Sequence, residues 1–280
     1  MTVGADVPDY APLLAAYHRA FAAELEAMVG SLPVRPGDRL LELACGDGAY
    51  TPWLAARVGP SGVVVGLDLS PGFLRLARRE AANGGGGDGP DASTRFVAAS
   101  IERLPFAADI FDVAWCAQSL FSLPDPLDAV RRMARVVKPG GLVAVLEADT
   151  LHQVLLPWPV DVELAVRTAE WEALRDESER PRKFYVGRRL VRVFRDAGLV
   201  DLRTRTYASD RVAPLDPDVR AFLREYLTEL KGRVAPRLAP AIRAEFERLA
   251  DPESPESLVD WPDLAVTMID HVIHGRKPAA

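Results

Sequence analysis

Only two cysteines, Cys45 and Cys116, and four histidines occur in the 280 residues. Two thiols make neither a disulfide framework nor a metal quartet, and at the ends of predicted strands they serve as small apolar filler. No apolar run approaches the length of a membrane span, and the N-terminus lacks a charged segment followed by an apolar stretch. Both lacks lead us to expect a cytoplasmic protein with no membrane partner. An excess of positive charge is missing too: the formal charge is −6, which argues against a general nucleic-acid surface, since phosphates require a basic face. The basic pairs Arg131-Arg132 and Arg188-Arg189 read as solvated helix faces. His271 and His274 are an odd number apart on a predicted strand, so they face opposite sides and make poor joint metal ligands; no metal is expected. What remains, 49% hydrophobic and 26% charged residues, is an ordinary globular composition in a chain long enough to bury a full core.

What is there concentrates in one segment. Leu40-Leu41-Glu42-Leu43-Ala44-Cys45-Gly46-Asp47-Gly48-Ala49-Tyr50 reads as an apolar strand running into a glycine turn and then a helix. Twenty residues past Gly48, Asp68 closes a second apolar run, Val63-Val64-Val65-Gly66-Leu67. A strand, a glycine turn, a helix and an acid at the tip of the next strand form a nucleoside-binding unit. The carboxylate accepts from two ribose hydroxyls, and the glycines let backbone approach the ligand. A dinucleotide fingerprint requires a third glycine, and that position is Thr51. A pyrophosphate also prefers an unobstructed helix N-terminus, whereas Glu42 and Asp47 put negative charge beside the turn. Acids there suit a ligand carrying an ammonium and a sulfonium, which is S-adenosylmethionine (SAM).

Short apolar strands alternating with helices call for a parallel sheet covered on both faces. Residues 9 to 29 carry apolar side chains at helical spacing, ending near Gly30. Pro36-Gly37 turns into strand one and Pro139-Gly140 into strand five. Ser70 reads as an N-cap with Pro71 in the first turn, and Gly84 to Pro90 as a flexible linker. Further on, the pattern predicts helices over 161–176 and 186–197, a stop at Gly198, an alternating strand over 200–207, helices over 216–231 and 239–250, and a closing strand near 266–275. No internal repeat is visible.

Four segments in order resemble the class I SAM-dependent methyltransferases of the UbiE-like, small-molecule kind. They are Leu40 to Tyr50; Val64-Val65-Gly66-Leu67-Asp68-Leu69-Ser70; Ala99-Ser100-Ile101-Glu102-Arg103-Leu104-Pro105-Phe106 with Phe111-Asp112-Val113-Ala114; and Val137-Lys138-Pro139-Gly140-Gly141-Leu142-Val143. The tail Val272 to Pro278 also resembles the last strand of related bacterial enzymes. The resemblance implies a doubly wound, mostly parallel seven-stranded α/β sheet in a single domain. A SAM-binding core would span 36–150, and helical lid elements over 1–30, 151–185 and 208–260 would cover the acceptor.

It further implies that Asp68 holds the ribose, that Glu42 helps hold the cofactor's amino group, and that Ala44, Gly46 and Gly48 line the methionine half. Ser100 and Ile101 fall around the adenine, with Ser100 where relatives place an aspartate, and Leu69 is a further cofactor-binding candidate. Cys116 and Gln118 fall beside the methionine moiety. Phe121 stands where many relatives carry a histidine, so that family base is absent, and Cys-Ala-Gln-Ser replaces the motif of nucleic-acid base methylases. His152, just past strand five, is the candidate general base, set against an exposed loop histidine; Glu147 and Asp149 share its neighbourhood. Trp158, Trp171, Phe184 and Tyr185 are candidate walls of an apolar pocket.

The expected reaction is methyl transfer from SAM, with S-adenosylhomocysteine (SAH) as product, to an O, N or C nucleophile of a small molecule. A place in bacterial secondary metabolism and a homodimer are compatible with this. Two alternatives stay open: a SAM- or nucleoside-binding protein without turnover, which Ser100 and Phe121 favour, and a nicotinamide-dependent oxidoreductase, which Thr51 disfavours. Cofactor-assisted cyclisation is a further use of the same fold.

Overall fold

A computed structural model describes residues 7–83 and 93–279; the linker read at Gly84 to Pro90 lies outside them. Among the described residues one sheet is built from β1 (Arg39–Leu43), β2 (Val63–Asp68), β3 (Ser93–Ala98), β4 (Phe111–Ala117), β5 (Val137–Glu147), β6 (Val154–Leu155), β7 (Val200–Val212) and β8 (Ala265–Arg276). The helices are α1 (Ala11–Ala20), α2 (Ala22–Gly30), α3 (Thr51–Val58), α4 (Pro71–Asn83), α5 (Pro126–Val136), α6 (Val160–Asp176), α7 (Leu190–Asp196), α8 (Pro217–Val234) and α9 (Pro240–Ala250).

The first five strands lie parallel in the order β3-β2-β1-β4-β5. β8 runs antiparallel to β5, with Glu147 opposite His271, and β7 pairs along the other edge of β8. The expected seven strands are therefore present, and the two-residue β6 is an eighth. It pairs with β8 at Val154↔Met268, beyond the end of β5.

Alternation along each strand sends side chains to two cores, as a sheet covered on both faces requires. Leu40, Val113, Trp115, Ala144 and Leu146 join residues of α1, α2, α3, α6, α8 and α9. Leu41, Leu43, Ala114, Cys116, Val143 and Val145 join residues of α5 and α7. Both cysteines are buried and free.

Local expectations hold where a specific residue sets the geometry. The Ser70 hydroxyl accepts the Phe73 N–H at 3.2 Å and α4 opens at Pro71. Gly198, at φ 82°, follows the end of α7. Others need correction. The helix read over 9–29 breaks at Phe21 (φ −123°, ψ 21°), whose buried ring packs edge-on against Phe222 of α8. The helix read from 186 starts at Leu190, after two short 3-10 turns. Pro139-Gly140 lies inside β5, where the register with β4 shifts, rather than before it. The strand read over 200–207 continues to Val212 because β8 is long enough to pair with it as far as Ala265. Residues 208–212, read as helical lid, are thus strand, and β6 interrupts the 151–185 lid segment. Among the described residues no helix is long and apolar enough to cross a membrane.

Candidate functional site

The turn after β1 is held together by the acid after β2. Cys45 N–H donates to the Leu67 carbonyl at 3.0 Å, and Gly46 N–H donates to Asp68 Oδ2 at 2.9 Å. The other oxygen, Oδ1, accepts Ser70 N–H at 2.8 Å. Each carboxylate oxygen has taken one N–H and keeps lone-pair capacity for a further donor. The two glycines serve different ends. Gly46 (φ +54°) supplies a left-handed turn. Gly48 (φ +86°) also lets α4 approach, since a Cβ there would sit 2.9 Å from the Ala77 Cβ. Ala44 carries the same left-handed strain at φ 50°.

Glu42 faces this turn from within β1 and is 1% exposed. Its Oε2 accepts the Thr51 hydroxyl at 2.6 Å, while Oε1 has no partner. Burial pushes its carboxyl up to about 8; the Thr51 bond opposes that and the charges of Asp47 and Asp68 add to it. The residue that breaks the dinucleotide fingerprint, Thr51, is therefore the one that orients Glu42. An unpartnered buried carboxylate oxygen beside two further acids fits an ammonium, so the residues present fit the methionine end of SAM.

The adenine-side candidates emerge from neighbouring strand ends, since Asp68 and Ala98 are paired. Leu69 is 72% exposed and Ile101 is buried. The Ser100 hydroxyl accepts Glu102 N–H at 3.1 Å and caps a short 3-10 turn. Cys116 packs its side chain in the core opposite Glu42, and burial pushes its thiol upward; its backbone is what it can offer a ligand. Gln118 adopts a left-handed φ of 46° and directs Nε2 to Asp270 Oδ1 at 3.5 Å.

Over this turn lies α1. Leu14 is the neighbour that a Cβ on Gly46 would meet at 3.8 Å, and His18 Nδ1 lies 3.4 Å from Asp47 Oδ1. Burial would raise the Asp47 carboxyl, yet His18 and the Ala49 N–H hold it below its ordinary value. The Tyr17 hydroxyl donates to Asp270 Oδ2 at 3.1 Å. Tyr50 meets the rings of His18 (5.3 Å), Trp53 (5.6 Å) and Trp115 (6.0 Å). His18 Nε2, the Tyr50 hydroxyl and the Trp115 indole nitrogen are buried without a hydrogen-bond partner, as is Glu42 Oε1. Trp115 is paired with Glu42 across β1 and β4, so these orphans share one region.

His152 closes a short 3-10 turn after β5. It is exposed, and its ring stands edge-on to Tyr185 at 6.1 Å. Partial burial, with Arg188 and Arg167, holds its pKa below the ordinary value. Glu147 is fully engaged: Oε2 accepts Leu120 N–H at 2.8 Å and Phe121 N–H at 3.4 Å, and Oε1 accepts Ala148 N–H at 3.2 Å. Asp149 is bonded to Arg188. Trp158 packs against Phe246 of α9 at 5.5 Å. Phe184, Trp171 and Tyr185 form a satellite cluster with Leu151 and Leu174.

Sequence reasoning passed over Tyr17, His18, Tyr50 and Asp270. For Asp270 a signal existed: Val266, Met268 and Val272 share its phase on β8 and are all buried, so a lone acid at an inward position of an apolar strand marks itself.

Comparison with known proteins agrees with this geometry. Residues 41–145 match a methyltransferase domain. Over 187 residues the chain is 30% identical to a demethylmenaquinone methyltransferase of Geobacillus sp. (strain WCH70), covering 62% of this chain and 76% of that protein. Over 114 residues it is 40% identical to the ubiquinone/menaquinone biosynthesis C-methyltransferase UbiE of Ectopseudomonas mendocina, covering 41% of this chain and 43% of that protein. The chain thus spans less than half the length of that second relative. A Haemonchus contortus phosphoethanolamine N-methyltransferase solved with SAM shares the fold, with a TM-score of 0.55 at 16% identity over 98% of this chain and 59% of that one. Strand order, glycine turn and acid after β2 define the class I methyltransferase architecture, whose cofactor is SAM. Within it, the chain belongs to the UbiE-like family of SAM-dependent methyltransferases.

Proposed function

We propose that the protein moves the methyl group of SAM to a small, apolar, ring-bearing acceptor whose nucleophile is made by loss of a hydroxyl proton. The observation that carries this reading is the group of buried, unpartnered polar atoms around the glycine turn: Glu42 Oε1, His18 Nε2, the Tyr50 hydroxyl and the Trp115 indole. Buried polar atoms are normally paired, so four orphans in one region call for a polar ligand there.

In this reading Asp68 accepts from the ribose hydroxyls and Glu42 Oε1 from the ammonium. Ala44, Gly46 and Gly48 place backbone against the methionine half, with Cys116 contributing backbone and Gln118 its amide end. Leu69 and Ile101 flank the adenine, and the Ser100 hydroxyl offers a weaker partner than the aspartate of relatives. α1 and the helical parts of 151–185 and 213–260 cover the acceptor. When bound, the sulfonium supplies an already activated methyl group. The chain's own task is then alignment and exclusion of water, and orientation alone is worth roughly 7–11 kcal/mol of barrier.

The names of the relatives favour a quinone-type ring over the wider range of secondary metabolites, and the rings of Tyr50 and Trp115 lie 6.0 Å apart beside the unpartnered polar atoms. Two buried free thiols accord with a cytoplasmic setting.

Incubating the protein with SAM and, separately, 1,4-naphthohydroquinone under reducing conditions, a catechol and a primary amine tests the reading. Expected are SAH and a methylated naphthohydroquinone by mass spectrometry. Tight SAH binding without product from any acceptor would favour a binding protein without turnover.

A further inference from the structure

We infer that Asp270 is the group that takes the proton from the acceptor, held in place by Tyr17 and Gln118. The inference rests on the methyl-transfer reading above and names a residue for it. Asp270 is 2% exposed and sits on β8 among inward-facing Val266, Met268 and Val272. An apolar residue would fill that position at no desolvation cost, whereas a buried carboxylate is expensive. It is gripped from two sides of the site. The Tyr17 hydroxyl reaches it from α1 at 3.1 Å, and the Gln118 amide reaches it from the end of β4 at 3.5 Å. Gln118 is also the residue assigned to the methionine half, so one side chain joins the cofactor end of the site to Asp270. The histidine that many relatives carry is Phe121 here, which leaves the proton without its usual acceptor, and His152 is exposed.

The groups facing Asp270 are Tyr17 from α1, Tyr50 before α3, Gln118 after β4, Glu147 from β5, Gln153 before β6 and Tyr207, opposite it on β7. None of these six carries a positive charge. Burial accordingly pushes the Asp270 carboxyl up to about 6, while the Tyr17, Gln118 and Gln153 hydrogen bonds hold it down. It is ionised at neutral pH and still basic enough to accept a proton. In the step itself the acceptor's O–H proton passes to the Asp270 carboxylate. The electron pair left on the acceptor forms the new bond to the methyl carbon. The carbon–sulfur bond breaks with its pair going to sulfur, and SAH leaves.

A purely structural role, tying α1 to β8, predicts something different, and Asp270→Asn separates the two. Asparagine keeps an oxygen for the Tyr17 hydroxyl but cannot take a proton. With 1,4-naphthohydroquinone as acceptor, kcat of D270N should fall by about 10²–10⁴-fold, the usual contribution of a general base. SAH affinity by calorimetry should change far less than kcat, because Asp270 reaches the cofactor end of the site only through Gln118. The wild-type rate should fall as pH drops through about 6, and D270N should lack that limb. Tyr17→Phe removes a donor that holds the carboxyl down, so its acid limb should move to higher pH. Wild-type kcat and an intact acid limb in D270N would overturn the inference while leaving the methyltransferase reading in place. Failure of the wild-type protein to bind SAH would overturn both.

Discussion

The two halves of the site are built in opposite ways. On the cofactor side, Gly46 meets Asp68 across 22 residues of chain and Thr51 meets Glu42 across 9; the partners are mostly backbone groups or near neighbours within one βαβ unit. On the side proposed for the acceptor, Tyr17 meets Asp270 across 253 residues and Gln118 meets it across 152. The first half is a local motif that any chain of this family must spell out in order. The second exists only once α1 has docked on the last strand.

The comparison breaks most sharply at Asp68. In the proposed site Asp68→Ala removes the acceptor of two ribose hydroxyls, each charge-assisted bond worth about 1.5–3 kcal/mol, so SAH affinity should fall by roughly 100-fold or more by calorimetry. Wild-type affinity in that variant would remove the cofactor site from this turn.

Glu42→Gln should cost less, roughly tenfold at pH 8, and it sharpens the electrostatics. The Glu42 carboxyl is pushed up to about 8 in the free protein, and an ammonium favours its ionised form. SAH binding should therefore release a proton near neutral pH, seen as a buffer-dependent binding enthalpy, and should tighten as pH rises toward 8. In Glu42→Gln both effects should vanish. The same shift bears on stability. A raised acid pKa means that the folded state holds more protons than the unfolded one between the ordinary 4.5 and about 8. Stability of the ligand-free protein should therefore fall as pH rises across that window, and less steeply in Glu42→Gln. A thermal melt series that shows no difference between the two proteins would contradict the assignment.

Gly48→Ala tests packing rather than chemistry. A Cβ there meets Ala77 at 2.9 Å and sits at φ +86°, so overpacking and strain should cost about 1–3 kcal/mol, a drop of several degrees in Tm. The smallest effect belongs to His152→Ala, which should leave SAH affinity unchanged because the imidazole lies at an exposed rim against Tyr185. A large loss of affinity there would draw the rim into the cofactor site.

What was legible before the structure follows the same division. The alternation of strands and helices, the turn at Gly46 and Gly48, the acid at Asp68 and the caps at Ser70 and Gly198 are each set by residues close in sequence. Their geometry survives the tertiary context. The break at Phe21 was not legible, because helical periodicity continues through it; the ring that Phe21 packs against, Phe222 of α8, lies two hundred residues away. The extension of β7 to Val212 depends on the length of its partner, β8. Tyr17 read as one more apolar position of an amphipathic helix, and its hydroxyl acquires meaning only opposite Asp270. His152 stood out because it follows a strand at the ligand-binding edge, and its ring contact with Tyr185 was not readable from the sequence.

The central claim is that the turn at Gly46 and Gly48, with Asp68 and Glu42, holds SAM. Calorimetric titration of the wild-type protein and Asp68→Ala with SAH, and of the wild type with NADH, tests it directly. The account predicts saturable SAH binding by the wild type, a loss of roughly 100-fold in the variant and no heat from NADH. Binding of NADH, or equal SAH affinity in both proteins, would contradict it.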